Sequence, residues 1–529
     1  MDSNHETMTA LDAALDRIRP EVIDGHLRFL SHPLLEGRAP GSRGGELAAE
    51  YVRASFRRLG LQPVGGEYFH PVPLVGLTAE PELALRFSDG GSAALAHGDD
   101  YVLRAGVPEE EVSVEGELVY VGYGITAPEY GWDDYGDVDV RGKVVLVRVN
   151  DPGTEETPGF FGGKALTYYG RWTYKFEEAA RRGAAGALLL HTTASAGYGW
   201  NVVRASNTGE QFDLAGAPRH PLAVKGWISS EAAEEALRRA GHDPEELLRR
   251  SEERGFRPVA TGITARARVR STVREVHTAN VAGLLPGNGA PEEVVVLTSH
   301  YDHLGTGVDE RGERVVYHGA YDNASGVSLL LAVAEAAASL PEPPRRSLLF
   351  VSTTAEESGL LGTEWYARHP PVPLERTAAA LNVDGANLQG RTRDVAPLGA
   401  DRSELGGVVR RAAAAEGMEL RPDPHPEQGM FFRQDHFPLA RVGIPALALD
   451  HGLDFEGRPE GWGEAWYAEF VGRHYHQPSD AYREETDYGG AVQQGRVLLR
   501  AALAVADAEA FPRWSEGAEF ARPGEEPRR

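Results

Sequence analysis

The chain has 529 residues, 41% of them hydrophobic, which is enough for two or three globular domains. It carries 54 Lys and Arg against 79 Asp and Glu, a net charge of −25, and this argues against nucleic acid as a partner because phosphates would repel such a surface. There is no cysteine, so disulfides, cysteine-ligated zinc and thiol nucleophiles are excluded.

The first residues, Met1-Asp2-Ser3-Asn4-His5-Glu6, lack the basic and apolar regions of a signal peptide. No apolar run reaches membrane-spanning length; 294–297 and 347–351 are strand-sized. As written the chain reads as cytoplasmic, although a mature form of an exported protein would look the same. Leu11, Leu15, Ile18 and Val22 fall at helical spacing, interrupted by Pro20, and Leu47, Tyr51, Val52, Phe56 and Leu59 mark a second helix. Between them lies the loop Glu36-Gly37-Arg38-Ala39-Pro40-Gly41-Ser42. From 66 to 111 the pattern is short and β-like, punctuated by Pro and Gly. Residues 1–111 are expected to form the N-terminal part of the catalytic domain.

A different unit begins near 112. Residues 118–121 and 144–149 read as strands, 176–182 as a helix and 187–190 as a strand. This predicts an inserted β-rich domain at 112–270. Gly122-Tyr123-Gly124-Ile125-Thr126-Ala127 mimics a dinucleotide fingerprint, but Pro128 and Gly131 follow where a helix should start. From 271 to 511 the elements alternate: strand 294–299, helix 325–339, strand 347–353, helix 359–368, strand 378–383, helix 403–416, strand 445–449 and helix 489–509. Alternation of this kind predicts an α/β catalytic domain, a mostly parallel, mixed central sheet with helices on both faces. The Pro-, Glu- and Arg-rich tail, 512–529, is expected to be disordered.

Five residues of zinc-ligand type recur in this half, mostly at strand ends: His300, Asp322, Glu357, Asp384 and His476. Ligands of open α/β sheets bind beyond the carboxyl ends of the strands, so His300, Glu356-Glu357 and Asp384 are delivered to one edge. Two neutral imidazoles and three carboxylates can hold two Zn²⁺ ions if one carboxylate bridges, and Glu356 is then free to handle a proton. Asp302 is placed to accept the second N–H of His300, and Asp480 that of His476. A lone strand-end histidine is more often ordinary, a Glu-Glu pair is usually a solvated face, and Asn-Val-Asp-Gly alone reads as a turn. Five such signals in a compatible order favour metal. His303, His318, His436, His451 and His474 are left as loop or supporting residues.

At these motifs the chain resembles the di-zinc peptidase family that contains bacterial leucyl aminopeptidases, glutamate carboxypeptidase II and the transferrin receptor, a relative without the metal site. The resemblance covers most of 275–505. It includes Ser299-His300-Tyr301-Asp302, Tyr321-Asp322-Asn323-Ala324-Ser325-Gly326, Ala355-Glu356-Glu357-Ser358-Gly359, Asn382-Val383-Asp384-Gly385 and Tyr475-His476-Gln477-Pro478-Ser479-Asp480. It implies that His300 and Asp384 bind one zinc, that Glu357 and His476 bind the other, that Asp322 bridges and that Glu356 is the general base. Tyr475 is implied as a second catalytic group, with a packed aromatic as the equal alternative. Tyr321 departs from the family, where an acidic residue often precedes the bridging Asp. Residues 116–240 are similar to the protease-associated domain often inserted in these enzymes, on Gly142-Lys143-Val144-Val145-Leu146-Val147 and the stretch 179–187.

The expected function is zinc-dependent exopeptidase, an aminopeptidase acting on peptide substrates, with homodimerisation left open. A carboxypeptidase or amidohydrolase on the same metals is the alternative; it needs an arginine cluster for substrate carboxylates, with Arg391, Arg393, Arg433 and Arg441 as the candidates. Met430, Phe431 and Phe432 are candidates for an apolar side-chain pocket or for core. A non-catalytic receptor-like protein is disfavoured, because a binding module has no need of a base beside a metal.

Overall fold

The computed structural model describes residues 10–216, 221–309 and 311–524; the N-terminal hexapeptide and the last five residues of the tail lie outside the described residues. The described residues fall into two compact units. One lies within Met1–Pro73, His277–Pro424 and Arg433–Arg529, the other within Leu74–Val276 and His425–Phe432.

In the first unit four strands run parallel in the order Ala446–Ala448, Thr377–Asn382, Ala290–His300, Arg346–Thr353. The end of a long strand, Val281 to Leu285, closes this series antiparallel to Arg346–Thr353. The sheet is therefore mixed, as the alternation predicts. Its strands are apolar on both faces, and period 2 divides them. Val295, Leu297, Leu348, Phe350, Ala379 and Leu381 pack into one core with the helices Pro20–Leu30, Arg43–Arg58, Gly326–Ala338, Leu405–Ala415 and Gly489–Asp507. The opposite face is covered by the short helix His436–Arg441, against which Leu361–Arg368 packs. All but two of the thirteen residues of Gly326–Ala338 are buried, which is why it shows no polar stripe.

Local signals account for the ends of several helices. The Ser42 side chain accepts from Gly45 N at 3.1 Å and caps Arg43–Arg58. Pro20, read from the sequence as an interruption, instead opens the helix Pro20–Leu30, the position where a missing N–H costs nothing.

The second unit is built on further strands. Glu111–Tyr120, Val144–Arg148, Gly186–His191 and Val224–Ser229 are parallel neighbours, flanked by antiparallel partners, Val259 to Arg270 on one side and Tyr101–Ala105 on the other. This unit starts at Leu74, not near 112, because Tyr101–Ala105 pairs with Val224–Ser229 and Leu74 to Leu77 pair with Gln211–Leu214. Strand partners are not readable from periodicity, so the 66–111 stretch could not be assigned by pattern. The segment His425–Phe432 also belongs here: Leu166 N donates to Pro426 O at 2.9 Å, and the Phe432 ring lies 6.0 Å from that of Tyr168.

The expectation of a disordered tail is corrected over 512–524. Trp514 is buried and donates its ring N–H to Gly443 O at 2.9 Å, and Arg522 donates to Thr377 O at 3.2 Å. Composition hid this, since two anchoring side chains suffice to dock a polar segment. Among the described residues, no helix is long and apolar enough to cross a membrane.

Candidate metal centre

The side chains predicted from the sequence meet at the carboxyl edge of the parallel strands in the first unit. His300 ends its strand in register with Thr353, and Thr298 pairs with Asn382, so the exits of three strands are side by side. Glu356 and Glu357 follow the second strand, and Asp384 follows the third. Asp322 sits in the turn Ala320–Ser325 that leads into the helix Gly326–Ala338. His476 lies on the loop after Trp462–Arg473, at φ 55°.

Asp322 stands between two groups of donors. One of its oxygens is 3.4 Å from His300 Nε2, which is itself 3.2 Å from Asp384 Oδ1. Its other oxygen is 3.2 Å from His476 Nε2, which is 3.0 Å from Glu357 Oε2. His303 joins the second group, with Nδ1 2.6 Å from Glu357 Oε1. Within each of the sets His300, Asp322, Asp384 and His303, Asp322, Glu357, the donor atoms lie within 4.8 Å of one another.

This donor set fits zinc. Two donors about 2.1 Å from a tetrahedral ion stand roughly 3.4 Å apart, and the distances from His300 to Asp322 and Asp384 and from His476 to Asp322 and Glu357 are close to that edge. An imidazole nitrogen here either donates a proton to the facing carboxylate or gives that proton up to bind a cation held between them. The electrostatics agree. Burial alone would lower His300 and His476, yet the surrounding carboxylates, Glu356 and Asp384 for the first and Glu357 and Asp322 for the second, hold His300 well above its ordinary value and His476 at about 10. Without metal, the pocket collects positive charge on its imidazoles.

Glu356 is buried, with Oε2 4.0 Å from His300 Nε2, and it lies outside both close donor sets. Burial, reinforced by Asp384 and Glu357 and opposed by His300, raises its carboxyl well above the ordinary range. The Tyr475 ring lies 3.9 Å from that of His476, tilted by 31°, so this residue packs against the proposed ligand.

Backbone and side-chain bonds hold the loops. Asn323 Nδ2 donates to Ser299 Oγ and Val383 O, while its Oδ1 accepts from Gly326 N and Gly385 N, so one amide ties three of the ligand-bearing segments. Asp302 Oδ1 accepts from Glu356 N at 3.1 Å. Its carboxylate is 3.7 Å from His300 Nδ1, and it is the main-chain carbonyl of Asp302, at 3.2 Å, that takes the hydrogen-bonding position. Asp480 departs from expectation more strongly. Its carboxylate accepts from Tyr321 N at 2.8 Å and Asp322 N at 3.1 Å, and so orients the turn carrying Asp322. Tyr321 is held by its hydroxyl, 3.0 Å from His451 Nε2; His451 Nδ1 donates to Gly452 O, so Nε2 accepts.

Sequence reasoning left His303 as a loop or supporting residue and missed Arg38. The Ser299-His300-Tyr301-Asp302-His303 run carried a signal for the former, since a second imidazole three residues beyond a ligand stays on the same loop. Arg38, one of the most buried arginines, lies in the loop 36–42 that had been noted but given no role. Of the arginines considered for substrate carboxylates, Arg391 pairs with Glu456 and Arg393 with Asp454, both at the surface. Phe431 and Phe432 are buried in the second unit.

Residues 280–502 match the model of Peptidase family M28. Aminopeptidase NAALADL1 of Mus musculus is 31% identical over 138 residues, 25% of this chain and 17% of that protein, and a probable zinc metalloprotease of Leptosphaeria maculans is 29% identical over 145 residues, 27% of this chain and 30% of that protein. The chain thus spans under a third of the length of these curated relatives. Among solved structures, the aminopeptidase from Aneurinibacillus sp. strain AM-1 shares the fold at a TM-score of 0.53 and 19% identity, covering 97% of this chain and 98% of that one. A Peptidase M28 precursor from Shewanella amazonensis SB2B does so at 0.51 and 16%, covering 96% and 99%. The segment 280–502 that matches the Peptidase family M28 model holds all five candidate ligands and Glu356.

Proposed function

We propose that the chain is a zinc-dependent exopeptidase, an aminopeptidase that releases N-terminal residues from peptides. The observation that carries this reading is the carboxylate of Asp322, one oxygen facing His300 and the other facing His476. His300 and Asp384 would hold one zinc, Glu357 and His476 the other, with Asp322 shared and His303 steadying Glu357. Bound there, two zinc ions would polarise the scissile carbonyl and lower the pKa of water. Glu356 takes a proton from the attacking water and returns it to the departing amine, a role open to it because it lies beside both close donor sets and belongs to neither. Tyr475 is proposed to donate a hydrogen bond to the developing oxyanion. A free substrate ammonium finds carboxylates here, and two of the four arginines considered for a substrate carboxylate are spent on surface ion pairs. This favours the amino end over the carboxyl end.

The second unit supplies none of these residues. Its reading as an inserted protease-associated domain rests on the motifs within 116–240, and we keep it as part of the proposal. The relatives named aminopeptidase support the substrate class.

The test compares leucine p-nitroanilide with an N-acetylated dipeptide, using protein stripped with chelator and reloaded with zinc. The nitroanilide should be cleaved only after reloading, and the acetylated dipeptide not at all. Cleavage of the acetylated dipeptide alone would overturn the aminopeptidase reading in favour of a carboxypeptidase on the same residues.

A further inference from the structure

Arg38 belongs to no catalytic motif, yet its guanidinium is 1% exposed at the heart of the first unit. Its hydrogen bonds all go to main-chain carbonyls: Tyr301 O at 2.8 Å, His318 O at 2.7 Å, Gly319 O at 3.0 Å and Leu30 O at 2.5 Å. Tyr301 lies between His300 and the pair Asp302-His303. His318 and Gly319 lead directly into the turn that carries Asp322. One side chain, more than 260 residues away in sequence, thus fastens the two loops that bring His300, His303 and Asp322 together.

The loop that presents Arg38 is itself locked. Glu36 and Arg38 have φ of 48° and 55°, and Gly37 between them has 72°, a left-handed run that residues with a Cβ seldom adopt. Gly37 O accepts from Gly305 N at 3.0 Å, and a Cβ on Gly37 would stand 2.2 Å from Gly305 O, so the two backbones touch. The positive charge faces acid: Asp302, Asp480, Asp322 and Glu357 all favour it, against burial, which is the larger effect. A buried guanidinium needs five donors satisfied, and a fork of this geometry matches carbonyls in fixed directions where an ammonium would not.

We infer that Arg38 is a positioning residue of the metal centre, whose fork sets the relative placement of the 300–303 and 318–322 loops and thereby the affinity for zinc. This rests on the metal-site reading above. Groups that orient ligands from outside the coordination sphere typically change metal affinity or activity by about 10- to 100-fold when removed.

The test uses Arg38→Met and Arg38→Lys in the full chain. Zinc affinity is measured by competition with a chromophoric chelator, kcat and KM with leucine p-nitroanilide, and amide hydrogen exchange in metal-free protein. We expect Arg38→Met, folded by circular dichroism, to lose roughly 10- to 100-fold in zinc affinity and a similar factor in kcat, with KM changed by about twofold at most. Arg38→Lys keeps the charge but loses the fork, and should lose roughly tenfold. Exchange should quicken at 301–305 and 317–322 and not at 281–285. A folded variant with lower thermal stability but wild-type zinc affinity and kcat would overturn the inference. If Arg38→Met does not fold, Arg38→Lys is read alone; failure of both to fold would make Arg38 a core residue and overturn the positioning role. Should the wild-type chain take up no zinc, the functional reading fails, whereas the exchange pattern still decides whether Arg38 holds these loops.

Discussion

Two clusters of buried ionisable groups, one in each unit, look alike by composition and differ in what their atoms face. In the second unit, Asp134, Asp151 and Lys175 are buried together, Lys175 pushed down to about 7 and Asp134 up to about 7, mainly by burial. Asp151 accepts from Thr167 N, Thr167 Oγ1 and Gly153 N; Asp134 accepts from Ile125 N; Lys175 Nζ donates to Asn150 O at 2.8 Å. These groups pin loops, with their charges offset by one another. In the first unit, the oxygens of Asp322, Asp384 and Glu357 face imidazole nitrogens. These imidazoles carry positive charge in the metal-free site, and a divalent cation shared through Asp322 can take the place of their protons. Perturbed titration marks both clusters, but only the partner atoms separate a metal centre from a structural knot.

The sharpest way to break this contrast is to remove the shared carboxylate. Asp322→Ala should lose bound zinc and reduce kcat/KM by roughly 10³-fold or more, since all Lewis-acid assistance goes with the metal. Metal analysis and turnover on leucine p-nitroanilide check both. Glu356→Gln should keep zinc and fold while kcat falls by about 10²- to 10⁴-fold; near-normal turnover would remove Glu356 from the mechanism. His303→Ala should cost a further step less, about 10-fold in zinc affinity, because Glu357 loses the imidazole 2.6 Å away.

The second cluster predicts the opposite phenotype. Lys175→Met should leave zinc stoichiometry and kcat unaltered and lower stability by about 2–4 kcal/mol, the cost of leaving buried carboxylates without their cation. Denaturant unfolding beside zinc titration separates the outcomes. A loss of zinc binding would show that the two clusters are not independent.

The smallest effect concerns His26, which is buried against Tyr51, Nδ1 2.9 Å from its hydroxyl, and held at about 4, by burial first and by Arg58 next. In the unfolded chain it titrates near 6.5. Above that pH both states are neutral. As pH falls from 6.5 to about 4 the unfolded chain takes a proton that the folded one refuses, so stability falls by at most about 3 kcal/mol. His26→Gln should flatten this part of a melting-temperature profile recorded in chelator.

Much of this was legible in the sequence because the relevant rules are local. Strand ends at His300, Thr353 and Asn382 follow from apolar runs, and parallel strands bring their carboxyl ends to one edge. What could not be read was which distant groups meet. Asp480 was matched to its sequence neighbour His476, but the turn before Asp322 offers two amide donors and wins its carboxylate. Arg38 acts on residues more than 260 positions away, so nothing near it in sequence signals its targets. The boundary at Leu74 depends on strand pairing of the same long-range kind.

The central claim, a dinuclear site shared through Asp322, is tested most directly by the metal content of the active protein. Elemental analysis after exhaustive dialysis of zinc-loaded wild-type chain should find about two zinc ions per chain. Full activity with one ion or none would contradict the account, because a single ion leaves one oxygen of Asp322 and the pair Glu357–His476 without a cation.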